Sequence, residues 1–216
     1  MLGYGRVTLR RLGPADADRL YRWFNDPEVM YLAEARLDGA ASRADVARMI
    51  AESAAARLAD YGEGPADAAP PAGFTRLGVC DETGELIGYA HWECRDRKAG
   101  VWSLGIMIGE QSKWGRHYGS DAIRACLDCL FDRAGAHKVR AGVFAYNERG
   151  LRAFERCGFV HEGLIRATNL VAGRYVDTVF FGILREEYAA LRQGGQGADG
   201  GGQAAGAGGQ GTGGDG

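Results

Sequence analysis

The stretch from Val101 to Gly135, "VWSLGIMIGEQSKWGRHYGSDAIRACLDCLFDRAG", constrains the fold more than any other part of the chain. It begins as an apolar strand-like run, passes through a turn that holds Gly115 and Gly119, and continues as a long helical pattern. Side chains repeat every two residues along a strand and about every 3.6 along a helix, so the change of period predicts strand, turn and helix in that order. Such a junction favours anions: the first helical N–H groups lack intrahelical partners, and the helix dipole adds partial positive charge there. Lys113, Arg116 and His117 add formal or partial positive charge, and the two glycines let backbone approach a phosphate closely. Taken alone, the segment is equally a basic turn capped by Ser120 or Asp121. It is neither a Walker loop, which needs Gly-Lys-Ser or Gly-Lys-Thr after four spacers, nor a G-x-G-x-x-G fingerprint.

The remaining patterns set the fold class. "RVTLRRLG", "TRLGVC", "ELIGYAHWEC", "KVRAGVFAY", "FVHEGLIRATN" and "RYVDTVFFGIL" read as further strands, with a hairpin signal at "DETG". "PADADRLYRWFND" reads as a short amphipathic helix that stops before Pro27, and "SRADVARMIAESAAARLADY" as a helix with Ser42 as N-cap and Asp45 three residues on. "ERGLRAFERCG" reads as another helix. Strands in antiparallel-looking succession, interrupted by a few helices, predict a mixed α/β (α+β) domain. Gly194 to Gly216 carries 13 glycines in 23 residues and is expected to be a disordered tail, following a single domain over residues 1–190. Tyr61 to Gly73, rich in Pro, Gly and Ala, is expected to be an internal loop.

Composition removes some functions. The formal charge of −2 gives no general attraction to nucleic acid, and no run of about 18 apolar residues suggests a membrane span. Five cysteines at irregular spacing do not form a disulfide framework. With no apolar signal core near the start, a reduced, cytoplasmic setting is expected.

Several separated segments resemble one family. "WGRHYGSDAI" looks like the acyl-coenzyme A signature of the GCN5-related N-acetyltransferases, in particular the branch that includes ribosomal-protein N-terminal acetyltransferases. "LYRWFNDPEVMYL" resembles that branch's first helix and following turn. "GVFAYNERGLRAFERCGFVHEG" is similar to its second coenzyme motif, and "GRYVDTVFFGILREEY" to its closing strand. The resemblance spans about Val7 to Tyr188 in family order. It implies a twisted, mostly antiparallel sheet of about six to seven strands flanked by about four helices, acting as a monomer or homodimer. It also implies direct transfer of acetyl from acetyl-CoA, with no metal, to an amine. That amine is a protein N-terminus, a polyamine, an amino sugar or an aminoglycoside-like molecule.

By the same resemblance, Ile106, Met107 and Ile108 would pair with the pantetheine arm. Trp114, Gly115, Arg116, His117, Tyr118, Gly119 and Ser120 would hold the pyrophosphate through backbone N–H groups. Asn147 would hydrogen-bond the pantetheine, and Phe154 would line the thioester end. The bland alternatives are core strand residues for Ile106 and Ile108, and a helix N-cap for Asn147. This chain also departs from the family. His117 stands where a glycine is usual, Phe154 where many members place an acidic tyrosine, Gly150 where some have a serine, and Asn169 near the sub-branch's acidic base. The candidate bases are Glu93 and His91, which share one strand face by alternation, together with Glu28, Asp177 and Tyr175; Glu93 is preferred for its central location.

Two competing readings remain. "HWE" at His91–Glu93 with Cys126 and Cys129 resembles the zinc-deaminase pattern H-x-E … P-C-x-x-C, although Ala125 stands where proline is required. A degenerate domain that binds acyl-CoA as a sensor, without catalysis, is the other.

Overall fold

The computed structural model describes residues 2–33, 41–55, 74–171 and 173–196. Among them, eight strands form one sheet: β1 (Leu2–Tyr4), β2 (Val7–Arg10), β3 (Phe74–Cys80), β4 (Leu86–Asp96), β5 (Val101–Ile108), β6 (Lys138–Phe144), β7 (Val160–Val171) and β8 (Arg174–Leu184). Their order is β1-β2-β3-β4-β5-β6-β8-β7, antiparallel throughout except where β5 meets β6. Six α-helices accompany the sheet: α1 (Ala17–Phe24), α2 (Pro27–Ala33), α3 (Arg43–Ala55), α4 (Tyr118–Asp128), α5 (Glu148–Arg156) and α6 (Arg185–Gln196). A π-helical segment, Cys129–Arg133, prolongs α4.

Alternation along the strands assigns each face. Ala90 and Trp92 of β4, Trp102 and Leu104 of β5, and Val139, Ala141 and Val143 of β6 pack with Ile123, Cys126 and Leu127 of α4 in one buried cluster. The intervening Tyr89 and Met107 join Leu20 and Trp23 of α1, Val29 of α2 and Val46 and Met49 of α3 in a second cluster on the opposite face. The sheet is therefore covered on both sides over its central strands. Removing a side chain as large as buried Trp92 would cost about 3–5 kcal/mol.

The expected strands and the central helix are present, and three elements go beyond the sequence reading. The strand β1 is only three residues long, too short to show alternation. Pro27 does not merely stop α1: it is the first residue of α2, whose opening N–H groups at Glu28 and Val29 donate to the Asp26 carboxylate at 2.9 and 3.1 Å. What resembled a turn is thus a helix. The third is α6, which follows the closing strand and extends to Gln196, into the Gly-rich tract. The expected cap of α3 is a reciprocal box, since Asp45 N–H donates to Ser42 Oγ and Ser42 N–H to the Asp45 carboxylate. Residues 56–73 and 197–216, which contain the expected loop and most of the expected tail, lie outside the described residues.

Candidate active site

The one parallel contact in the sheet creates the site. β5 and β6 pair only through Val101–Ser103 and Lys138–Arg140. Beyond that point β5 stays with β4 as far as Ile108, while β6 stays with β8 as far as Phe144, so the two strands part. The wedge between them opens into a cavity of about 370 Å³. Gly109 N–H donates to Ile87 O at 2.9 Å, which sets the phase of the β4–β5 ladder. By antiparallel alternation, Met107 then directs its backbone groups to β4, whereas Ile106 and Ile108 direct theirs into the wedge. One of these acceptors is in use, because Trp114 Nε1 donates to Ile108 O at 2.6 Å.

The cavity floor is the turn into α4. The first intrahelical bond runs from Asp121 N–H to His117 O, so the N–H groups of Tyr118, Gly119 and Ser120 precede the helical ladder. Gly119 lines the cavity, and among the described residues a Cβ there would meet only Ile108, at an ordinary 3.9 Å. Gly115 has φ +73°, as a glycine can. His117 is also left-handed, with φ 67°, in a region that costs a residue bearing a Cβ roughly 1 kcal/mol or more. This supplies a conformational reason for the family's glycine at that position.

The far wall is α5, contributing Asn147, Arg149, Gly150, Arg152, Phe154 and Arg156, and α2 closes one end with Val29, Leu32 and Ala33. Asn147 caps α5: its Oδ1 accepts Gly150 N–H at 2.9 Å, and its Nδ2 donates to Leu32 O at 3.0 Å, joining the two walls. Gly150 is required by that fold-back, because a Cβ would lie 2.8 Å from Asn147 Nδ2 and 2.9 Å from Val143. Phe154 is buried, edge-on to Phe159 and stacked on Phe181.

The turn is braced from behind. Buried Asp81 accepts from Lys113 Nζ at 2.7 Å, and also from Thr83 Oγ1 and the N–H groups of Thr83 and Glu85. Burial alone would raise this carboxyl, but these donors outweigh it and bring it down to about 2. Burial, then the Glu82 carboxylate that accepts its proton, push the Tyr118 hydroxyl up, so it stays neutral. Arg6 lies 4.4 Å over the Tyr118 ring and donates to the Arg116 carbonyl.

The structure thus brings eleven of the expected coenzyme residues to one cavity: Ile106, Met107, Ile108, Trp114, Gly115, His117, Tyr118, Gly119, Ser120, Asn147 and Phe154. Arg116 does not line it. Neither does Glu93, which lies toward the other end of β4 opposite Ser103, in an ion pair with Arg95 at 2.6 Å. The other candidate bases are also outside the lining: the His91 ring lies over Gly105, Asp177 accepts Ala167 N–H, and Glu28 and Tyr175 are exposed. Sequence reading missed the α2 wall and the α5 arginines, although Arg149, Arg152 and Arg156 stand at i, i+3 and i+7 on one helical face. The zinc pattern fails on geometry. Cys126 and Cys129 pack with Trp92 on the α4 side of the sheet, whereas His91 stacks with Phe74 on the face that carries Tyr89. Burial pushes the Cys129 thiol up to about 12 and the Cys126 thiol well above its ordinary value, which opposes thiolate ligation. Among the described residues no group of three potential ligands gathers.

Comparison with known proteins agrees with this geometry. The family model for the acetyltransferase (GNAT) domain matches residues 6–160. The chain belongs to the GNAT acetyltransferase family. This GNAT chain is 27% identical over 186 residues to "Uncharacterized N-acetyltransferase p20" of Bacillus licheniformis, covering 85% of this chain and 96% of that protein. It is 24% identical over 169 residues to the aminoglycoside N(6')-acetyltransferase type 1 of Klebsiella pneumoniae, covering 74% and 76%. In fold it resembles the spermidine N-acetyltransferase of Vibrio cholerae crystallised with CoA and spermine. The TM-score is 0.69 at 21% identity, over 85% of this chain and 98% of that one. It is an acetyltransferase with the mixed α/β GNAT fold, and none of its described helices is long and apolar enough to cross a membrane.

Proposed function

We propose that this protein transfers acetyl from acetyl-CoA to a primary amine of a small molecule by direct attack. The observation that carries the reading is the wedge between β5 and β6, with strand-edge groups of Ile106 and Ile108 that β6 does not pair, leading to the N–H groups that precede the helical ladder of α4. That geometry suits a long ligand with amides along its arm and phosphates at one end, and the chain's own atoms leave that path open at Gly119. Small-molecule acceptors are favoured over a protein N-terminus because the relatives whose names state a substrate include spermidine and aminoglycoside acetyltransferases.

Acetyl-CoA supplies an activated acetyl group on a thiol of ordinary pKa about 8.5, already a fair leaving group near neutral pH. The protein's part is orientation: the β5 edge and the α4 cradle fix the arm, and an open-edge N–H of β5 would receive the oxyanion. Phe154 offers no proton, so its ring contributes apolar wall rather than acid catalysis. An alkyl amine of pKa about 10 must lose a proton before attack. Glu93, which stands outside the cavity wall and is paired with Arg95, is proposed to take it through a chain of water along β4, the strand that adjoins β5. Glu93→Gln should then lower kcat about 100-fold with little change in coenzyme affinity; an unchanged kcat removes Glu93 from the chemistry.

The test of the whole reading is release of free CoA thiol from acetyl-CoA, measured across polyamines, aminoglycosides and N-terminal peptides. Turnover with a polyamine or aminoglycoside is expected. Turnover with peptides alone would replace the acceptor class, and tight coenzyme binding with no turnover on any amine would instead favour an acyl-CoA sensor.

A further inference from the structure

We propose that His117 and Arg156 form a side-chain clamp on a phosphate group of the coenzyme, an addition to the backbone cradle at a position where the family resemblance implies glycine. The inference rests on the coenzyme reading above. Both residues line the cavity, His117 at the start of α4 and Arg156 in the last turn of α5, and Arg156 Nη1 lies 3.4 Å from His117 Nδ1. Three neighbouring cations are paired with carboxylates: Lys113 with Asp81 at 2.7 Å, Arg152 with Glu148 at 3.0 Å and Arg124 with Asp121 at 3.9 Å, while Arg149 stacks over Trp114. Among the described residues no carboxylate makes such a pair with Arg156 or His117.

The two side chains are held face to face by their helices. Arg124 Nη2 of α4 donates to Arg156 O at 2.9 Å, and Cys157 Sγ donates to Ser120 O at 3.4 Å, tying the end of α5 to the start of α4. Without an anion, an imidazole nitrogen lacking its proton can accept from the guanidinium. With an oxyanion between them, both residues can turn N–H donors toward it, in charge-assisted bonds that exceed neutral ones. Backbone strain points the same way. His117 occupies φ 67°, which glycine would adopt freely, so the side chain is kept at a conformational cost.

The experiment uses the full chain and isothermal titration with CoA, 3′-dephospho-CoA and pantetheine, on wild type, His117→Gly, Arg156→Gln, Arg156→Lys and the double variant His117→Gly/Arg156→Gln. Each of His117→Gly and Arg156→Gln should weaken CoA binding about 5- to 10-fold, while pantetheine binding stays level. Arg156→Lys should recover most of the loss, and the double variant should lose less than the product of the two single losses. His117→Gly should meanwhile raise Tm by about 1–3 °C by relieving the left-handed strain, a gain that a merely structural histidine would not combine with weaker coenzyme binding. An equal loss with 3′-dephospho-CoA assigns the clamp to the pyrophosphate, and a loss confined to CoA assigns it to the 3′-phosphate. CoA affinity within twofold of wild type in both single variants, or an equal loss for pantetheine, overturns the clamp. Absence of CoA binding by the wild type overturns the coenzyme reading itself.

Discussion

The two sides of the α4 turn are both basic and use their charge in opposite ways. On one side, Lys113, although it lines the cavity, is paired with buried Asp81, Tyr118 donates to Glu82, and Arg6 lies over Tyr118 and donates to the turn's own carbonyl. Facing the cavity, Arg149 stacks 4.0 Å over Trp114, and Arg156 meets His117 and, among the described residues, no carboxylate. A basic run in sequence thus divides into a closed network that shapes the turn and an open set that waits for negative charge. The count of lysines and arginines does not separate the two; the position of the carboxylates does.

The comparison is tested hardest by breaking the closed side. Asp81→Asn would leave Lys113 partly buried without its counter-charge and loosen the 81–85 turn, so urea unfolding should show a loss of about 3–5 kcal/mol, with poorer coenzyme binding as a consequence. The open side should respond in the reverse manner. Gly119→Leu places a side chain at the floor with its Cβ clear of the protein, so coenzyme affinity should fall about 100-fold, equivalent to about 2.7 kcal/mol, while Tm moves little. Unchanged affinity would remove Gly119 from the coenzyme path.

Acid gives a milder test. The Asp81 carboxyl titrates at about 2 in the folded chain and near 3.8 when unfolded. Its stabilisation is therefore complete above about pH 4 and lost as pH falls toward 2, an amount on the order of 2 kcal/mol. Asp81→Asn should remove that portion of the acid slope. The smallest effect concerns Arg149. Trp114 is the cavity's half-exposed tryptophan, whereas Trp23, Trp92 and Trp102 are buried, so added CoA should change intrinsic fluorescence mainly through Trp114. Arg149→Ala should weaken CoA binding about threefold and reduce that fluorescence change, as expected for one exposed cation–π contact.

Much of the fold was legible because strand alternation and the two glycine-bearing turns are local signals. β5, α4, β6 and α5 could be placed in order, and the coenzyme residues follow from that order together with the family resemblance. α2 was lost because Asp26-Pro27 signals both a helix stop and a helix start, and only packing decides between them. α6 was lost because a Gly-rich composition masks a short helix that is anchored by buried Tyr188 and its bond to Asp128 at 2.7 Å. The ion pair of Glu93 with Arg95, outside the cavity wall, is not legible in the sequence, because a strand position does not reveal whether a carboxylate is already paired.

By itself the sequence determined the succession of elements, the turn with its two glycines and the presence of a histidine where the family has glycine. These are properties of neighbouring residues and of backbone preference. Only the tertiary structure decided that β5 and β6 part after Ser103, that Asp81 claims Lys113 and that Arg156 stands opposite His117. Each of these joins residues dozens of positions apart, and in such pairs distance and burial, rather than residue type, set whether a charge is structural or free to bind.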